Sequence, residues 1–397
     1  MIKRNLADKL KELASYYPVV SVTGPRQAGK TTLCRLTFPD KPYVSLEPLD
    51  MRGRAQRDPR GFLAEYREGA IIDEVQHVGE LFSYLQEEVD LRAEPGRFVL
   101  TGSQHFGMSA RISQSLAGRV GILNLLPCSF DELERFEEYP TDLFDTLWSG
   151  GYPRIYDRCI PPDQWLVDYI TTYVERDVRQ ILNVGDLQAF ADFAKLCAGR
   201  TGQVLNLSSL GADAGVSHNT AKSWLSILEA GFLVFRLSTW HKKIKKQIVK
   251  APKLHFFDSG LVCNLLGIRT PAELVHHPLR GSIFESWVVS EVYKAQVNKG
   301  IRPRLYYFRD HKGFEVDLIA ERGENLILAE TKSAATLGGD FFHSLHRLQN
   351  TIERSRSLTS FPHDPLELRL IYGGDRLKRD SNVTVAPWSK IHTLDWS

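Results

Sequence analysis

The chain has 397 residues, 43% of them hydrophobic and 25% charged, with 50 basic and 48 acidic side chains for a net charge of +2. That length points to about two to four units, and the balance excludes a mainly disordered, collagen-like or coiled-coil protein. The near-neutral charge means that any nucleic-acid role would need a local basic patch, and the five scattered cysteines, without a CxxC pair, argue against a disulfide framework or structural zinc and for a reduced, cytoplasmic protein.

The basic start, Met1 to Arg4, leads into a polar amphipathic segment instead of the apolar stretch of a signal peptide. No apolar run approaches the roughly 18 residues of a spanning helix, so no membrane partner is expected. Pro18 to Thr23 reads as an apolar strand. It runs into Gly24, Pro25, Arg26, Gln27, Ala28, Gly29, Lys30, Thr31 and Thr32, then an amphipathic helix. This is GxxxxGKT in strand–loop–helix context, a nucleotide-phosphate loop. The glycines permit backbone angles that turn N–H groups toward phosphates. Lys30 would meet the β- and γ-phosphates and Thr31 would offer its hydroxyl to Mg²⁺. ATP with Mg²⁺ is the expected cofactor pair.

Gly69 to Glu74 is a buried-strand run ending in two acids. Asp73 would hold Mg²⁺ and Glu74 would polarise the attacking water. Arg97 to Ser103 is a further apolar strand, and Thr101 or Ser103 would sense the γ-phosphate or hold the water. Ser115 to Arg119 leads into a fifth strand, Val120 to Leu126. Arg119 would neutralise γ-phosphate charge in its own subunit or across a subunit interface, or form a surface salt bridge.

From Pro127 to about Trp165 the chain reads as a lid and connector, with helical periodicity resuming at Trp165–Leu182 and Asp186–Ala198. Asn206 to Phe232 is a helix–turn–helix pattern. Gly215 serves its turn and Ser217 caps the second helix, whose apolar face is Ala221, Trp224, Leu225 and Leu228. His218, Asn219, Lys222 and Ser223 would face a DNA groove or solvent, and Phe232–Trp240 would supply a wing. His241 to Lys253 carries six lysines and no acid, which reads as a phosphate-neutralising patch for DNA, a solvated loop or a patch facing the ATPase.

From residue 282 the order is helix, three strands, helix, strand. Polar residues interrupt the apolar elements: Glu285 on the helix, Asp317 in the second strand, Glu330 and Lys332 at the end of the third. Period-2 alternation puts Glu330 and Lys332 on one face. Carboxylates so placed would bind Mg²⁺ or Mn²⁺, with Lys332 stabilising developing phosphate charge. The spacing resembles the D…ExK signature of restriction-endonuclease-like folds, although no proline precedes Asp317.

In order, Gly24–Leu33, Ala70–Gln76, Val99–Gln104, Ser115–Val120, Lys253–Leu261, Arg280–Val288, Glu315–Ile319 and Glu330–Lys332 resemble prokaryotic AAA-type ATPases fused to a C-terminal domain of unknown function. The resemblance implies an α/β protein with an ASCE-type P-loop NTPase parallel sheet, in which another strand separates the acid-bearing strand from the loop-bearing one. It also implies a winged-helix middle domain and a C-terminal restriction-endonuclease-like α/β domain. The expected division is an ATPase domain at 1–135, a helical connector at 136–200, a winged helix at 201–275 and the nuclease-like domain at 276–397. The expected function is ATP hydrolysis gating metal-dependent DNA processing. The other readings are a regulator whose last domain only binds DNA or a protein partner, and a homo-oligomeric remodelling ATPase.

Overall fold

A computed structural model describes residues 1–103, 115–173, 187–240, 249–323, 325–356, 366–380 and 382–397. Its first sheet contains β1 (Val19–Gly24), β2 (Tyr43–Ser45), β3 (Ala70–Asp73), β4 (Phe98–Ser103) and β5 (Val120–Asn124), in spatial order β2-β3-β4-β1-β5. Every pairing is parallel. Continuous apolar runs suit such a sheet because helices cover both faces. Alternate residues of β1 therefore enter different cores. Val20 and Val22 pack with Leu6, Leu10 and Leu33, whereas Val19 packs with Phe82, Leu85 and Leu100. β4 lies between the loop-bearing β1 and the acid-bearing β3, so both motifs leave neighbouring strand ends on one side of the sheet.

The middle of the chain is built on helices. Pro153–Asp157, Pro162–Tyr173 and Leu187–Ala198 precede Leu207–Asp213 and His218–Ala230. The second half of the Trp165–Leu182 periodicity lies outside the described residues. The turn before His218 uses Gly215 at φ +68°, a conformation that favours glycine. The Ser217 hydroxyl accepts from the Thr220 N–H at 3.1 Å, capping the helix. Ala221, Trp224, Leu225 and Leu228 are buried, while His218, Asn219, Lys222 and Ser223 are exposed.

A second sheet holds β6 (Gln203–Val204), β7 (Val234–Thr239), β8 (Lys253–Phe256), β9 (Leu305–Arg309), β10 (Glu315–Arg322), β11 (Asn325–Lys332), β12 (Leu366–Tyr372), β13 (Lys378–Asp380) and β14 (Val383–Pro387). Its order is β13-β14-β12-β11-β10-β9-β7-β8-β6. The expected wing strand, β7, is thus interior to a nine-stranded sheet, with β8 on one side and β9 on the other. Ser238 and Thr239 pair with Tyr306 and Tyr307, which joins the middle unit to the C-terminal strands. One core follows the same path, from Phe190 and Trp224 through Phe284 and Trp287 to Trp388. The Arg280–Asn298 helix lies across this sheet on one face, and His343–Arg356 packs on the other through Leu345, Leu348 and Ile352.

Candidate functional site

The loop after β1 owes its path to three residues with positive φ: Gly24 at +148°, Gln27 at +61° and Gly29 at +92°. A Cβ at Gly24 would lie 2.0 Å from the Leu125 carbonyl oxygen, so only glycine fits there. Gly29 caps the Lys30–Thr37 helix, whose first N–H groups face the loop. The Lys30 ammonium donates to the Gly24 carbonyl at 3.1 Å and the Pro25 carbonyl at 2.8 Å.

Across the sheet, Thr31 Oγ1 donates to Asp73 Oδ2 at 2.8 Å, and the Tyr43 hydroxyl donates to the same oxygen at 2.9 Å. Thr101 Oγ1 donates to Asp73 Oδ1. Burial and the Asp73 charge push the Tyr43 phenol up to about 12. One hydroxyl and one carboxylate in contact form a hard oxygen pair, a donor set that fits Mg²⁺. Glu74 follows at φ +55°, and its carboxylate accepts from Gln76 Nε2. Ser103, by its backbone, pairs with Gly24. Lys30, Thr31, Thr32, Arg26, Gln27, Gly29 and Glu74 line one cavity of about 970 Å³.

Arg119 does not join them. It precedes β5, whose first residue pairs with Val19 at the start of β1, whereas the phosphate loop leaves the far end of that strand. Its guanidinium binds Asp90, with Nη2 2.9 Å from Oδ2. The own-subunit role is therefore corrected to the salt bridge, because parallel strands put the two ends of the sheet a strand length apart.

Arg4 and Arg154 are among the residues that sequence reasoning missed. Arg4 is 6% exposed and donates to the Ala28 carbonyl at 2.7 Å and the Leu126 carbonyl at 2.8 Å, with Glu132 at 3.0 Å. It thereby fixes the phosphate loop to the segment after β5. Arg154, from the helix after Gly151, lines the cavity and approaches Gln27 Oε1 at 3.4 Å. A lone arginine in a basic start and another in a connector carry no sequence signal of this placement.

The C-terminal acids converge as well. Asp317 Oδ2 accepts from both the Thr331 N–H and its hydroxyl at 2.8 Å. The antiparallel register, Leu318 opposite Ala329, sets Asp317 beside Glu330. Lys332 Nζ pairs with Glu330 Oε1 at 2.7 Å. Glu285, Glu315 and Asp317 bring carboxylate oxygens within 4.8 Å of one another. Sequence reasoning missed Glu315; the signal for it was its place two before Asp317, on the same face of β10.

Lys253 departs most from expectation. It was counted in a basic patch, yet it is 1% exposed and bonds Glu285 Oε1 at 2.6 Å and Glu315 Oε1. Burial works to lower its pKa, but the charges of Glu285, Asp317 and Glu315 outweigh burial and raise it. Burial pushes Glu285 up to about 8 against the attraction of Lys253. Glu330 is pushed up to about 8 by burial and the Asp317 charge, which Lys332 only partly offsets. Of the three acids expected to take a divalent ion, Glu285 is thus already bonded to the Lys253 ammonium and Glu330 to that of Lys332, while Asp317 Oδ2 is taken by Thr331, so the fit to Mg²⁺ or Mn²⁺ is poor. Of the other patch residues, Lys250 is exposed, and Lys242, Lys243, Lys245 and Lys246 lie outside the described residues.

Loop, paired acids and strand order define an AAA-type P-loop ATPase, and residues 16–134 match the AAA domain model. Residues 140–272 and 280–391 match two models described as domains of unknown function. Uncharacterized proteins of Mycobacterium tuberculosis and Mycobacterium bovis are each 31% identical over 399 aligned positions, covering 98% of this chain and 85% of theirs. The chain belongs to the family of these mycobacterial proteins. Among solved structures, the Walker-type ATPase of Pyrococcus abyssi is 14% identical, covering 66% of this chain and 94% of its own, with a TM-score of 0.44. AMPPCP-bound DnaA from Aquifex aeolicus is 16% identical, covering 56% and 85%, with a TM-score of 0.30. Among the described residues, no helix is long and apolar enough to cross a membrane.

Proposed function

We propose that the protein binds ATP·Mg²⁺ in the loop Gly24–Thr32 and hydrolyses it, and that the bound nucleotide sets how the ATPase sheet and the C-terminal sheet are arranged. The observation that carries this reading is the 2.8 Å contact between Thr31 and Asp73, with Glu74 lining the same cavity. Lys30 would leave the loop carbonyls for the phosphates, Thr31 and Asp73 would hold the magnesium ion, and Glu74 would position water for attack. Magnesium supplies charge neutralisation on the phosphate oxygens when bound. Glu74→Gln should keep nucleotide binding and slow turnover by at least about tenfold, roughly 1.4 kcal/mol of barrier. Turnover equal to the parent's would remove Glu74 from that role.

A coupling route supports the switch. Arg4 ties the phosphate loop to Glu132. The short helix at Phe130 is in turn bound by Glu291 Oε2, which accepts from the Phe130 N–H at 2.8 Å. Lys294 Nζ donates to the Cys128 carbonyl at 3.1 Å. Both belong to the Arg280–Asn298 helix, which also carries Glu285.

The middle elements are consistent with a winged-helix module used for packing, and the last strands with a restriction-endonuclease-like scaffold. Metal-dependent DNA processing is the second reading, favoured by the convergence of Asp317, Glu330 and Lys332. Lys253 among the acids speaks for a binding or regulatory role instead. A cleavage assay with Mg²⁺ or Mn²⁺, with and without ATP, separates the two. A homo-oligomer is proposed only through Arg119, which would need another copy's phosphate.

A further inference from the structure

Lys253 sits where a metal ion would. Three carboxylates, from Glu285 on the long helix and Glu315 and Asp317 on β10, offer oxygens within 4.8 Å of one another. Lys253 Nζ donates to Glu285 at 2.6 Å, pairs with Glu315, and acts electrostatically on Asp317. Glu330, beside Asp317, is paired separately with Lys332. The lysine is fixed along its length. Its side chain is 2% exposed, β8 is paired on both sides by β6 and β7, and Nζ lies 5.4 Å from the centre of the Tyr307 ring.

An acidic cluster alone does not name its counter-ion. A buried ammonium already bonded within it does. A lysine head offers three donors and one positive charge. A divalent ion would need the same oxygens at about 2.0–2.6 Å. It would then face the positive charge of a lysine whose own side chain is buried, an arrangement of like charges in a partly desolvated site.

Glu315 also takes the more exposed Arg309 on its other oxygen at 3.0 Å. We propose that Lys253 is the buried resident cation of the Glu285–Glu315–Asp317 cluster and excludes divalent metal from it while β8 keeps its place. The ion pairs then clasp the middle unit to the C-terminal sheet, since the lysine comes from β8 and its partners from β10 and the Arg280–Asn298 helix. Metal enters this cluster only when Lys253 withdraws. This inference is independent of ATP hydrolysis.

The test is Mn²⁺ binding followed by electron paramagnetic resonance in the nucleotide-free, full-length protein carrying Asp73→Asn, so that the ATPase acid does not contribute. With Lys253 intact, no site tighter than about 1 mM is expected. Lys253→Gln should gain one site at least about tenfold tighter. Adding Asp317→Asn should abolish it, and Lys253→Arg, which keeps the charge, should not create it. Binding with Lys253 intact that Asp317→Asn removes would overturn the proposal. So would a folded Lys253→Gln protein, by circular dichroism, that gains nothing. Should Lys253→Gln fail to fold, the comparison with Lys253 intact decides alone: Asp317-dependent binding overturns the proposal and its absence supports it.

Discussion

Asp73 receives hydroxyl hydrogen bonds from Thr31, Tyr43 and Thr101, so three separate elements aim at one carboxylate. These hydrogen bonds hold the carboxylate at the strand end in one orientation. Glu330 shows the opposite environment. Its pKa is raised from 4.5 to about 8, first by burial and then by the Asp317 charge. A raised pKa means that between those values the folded protein holds a proton the unfolded chain has released. Stability from this group is therefore fully present below pH 4.5 and is lost as pH rises through about 8. Glu330→Gln should flatten the fall in melting temperature across that window. An unchanged profile would show that Glu330 does not titrate there. At this scale the phosphate-loop residues were legible, because their chemistry demands fixed residue types at fixed spacing. Lys253 was not. Its sequence neighbours are lysines, and a string of letters records charge without recording burial.

Elements were legible where a local pattern decides them. From the Arg280–Asn298 helix to the Leu366–Tyr372 strand the elements follow the expected order, and the Ser217 cap and Gly215 turn lie where their side-chain chemistry places them. The fate of β7 was not legible. Its alternation fits a wing as well as an interior strand, and its pairing with β9 joins residues far apart in the chain. That pairing, with the shared core, predicts that the middle unit and the C-terminal sheet unfold together. Phe284, fully buried in this core, is the place to probe it. Phe284→Ala should destabilise the unit by about 3–5 kcal/mol. Hydrogen exchange should then accelerate in the Leu207–Asp213 and His218–Ala230 helices as well as in β9 to β11. Acceleration confined to the C-terminal strands would show two independent bodies.

Over the whole molecule, two sheets do different work. The parallel sheet carries the nucleotide motifs at one end of its strands, with Arg4 and Arg154 bringing the chain start and the connector to the same cavity. The larger sheet carries an acidic cluster balanced from within by Lys253, and the Arg280–Asn298 helix reaches from that cluster to the segment after β5. On this arrangement rests the proposal of a nucleotide-responsive switch, whose central claim is that ATP·Mg²⁺ occupies the loop Gly24–Thr32. Isothermal titration calorimetry of ATP·Mg²⁺ with the full-length protein and with Lys30→Ala tests it most directly. The account predicts one saturable site in the parent and a loss of affinity of at least about tenfold, roughly 1.4 kcal/mol, in the variant. Equal affinity in the two proteins would contradict it.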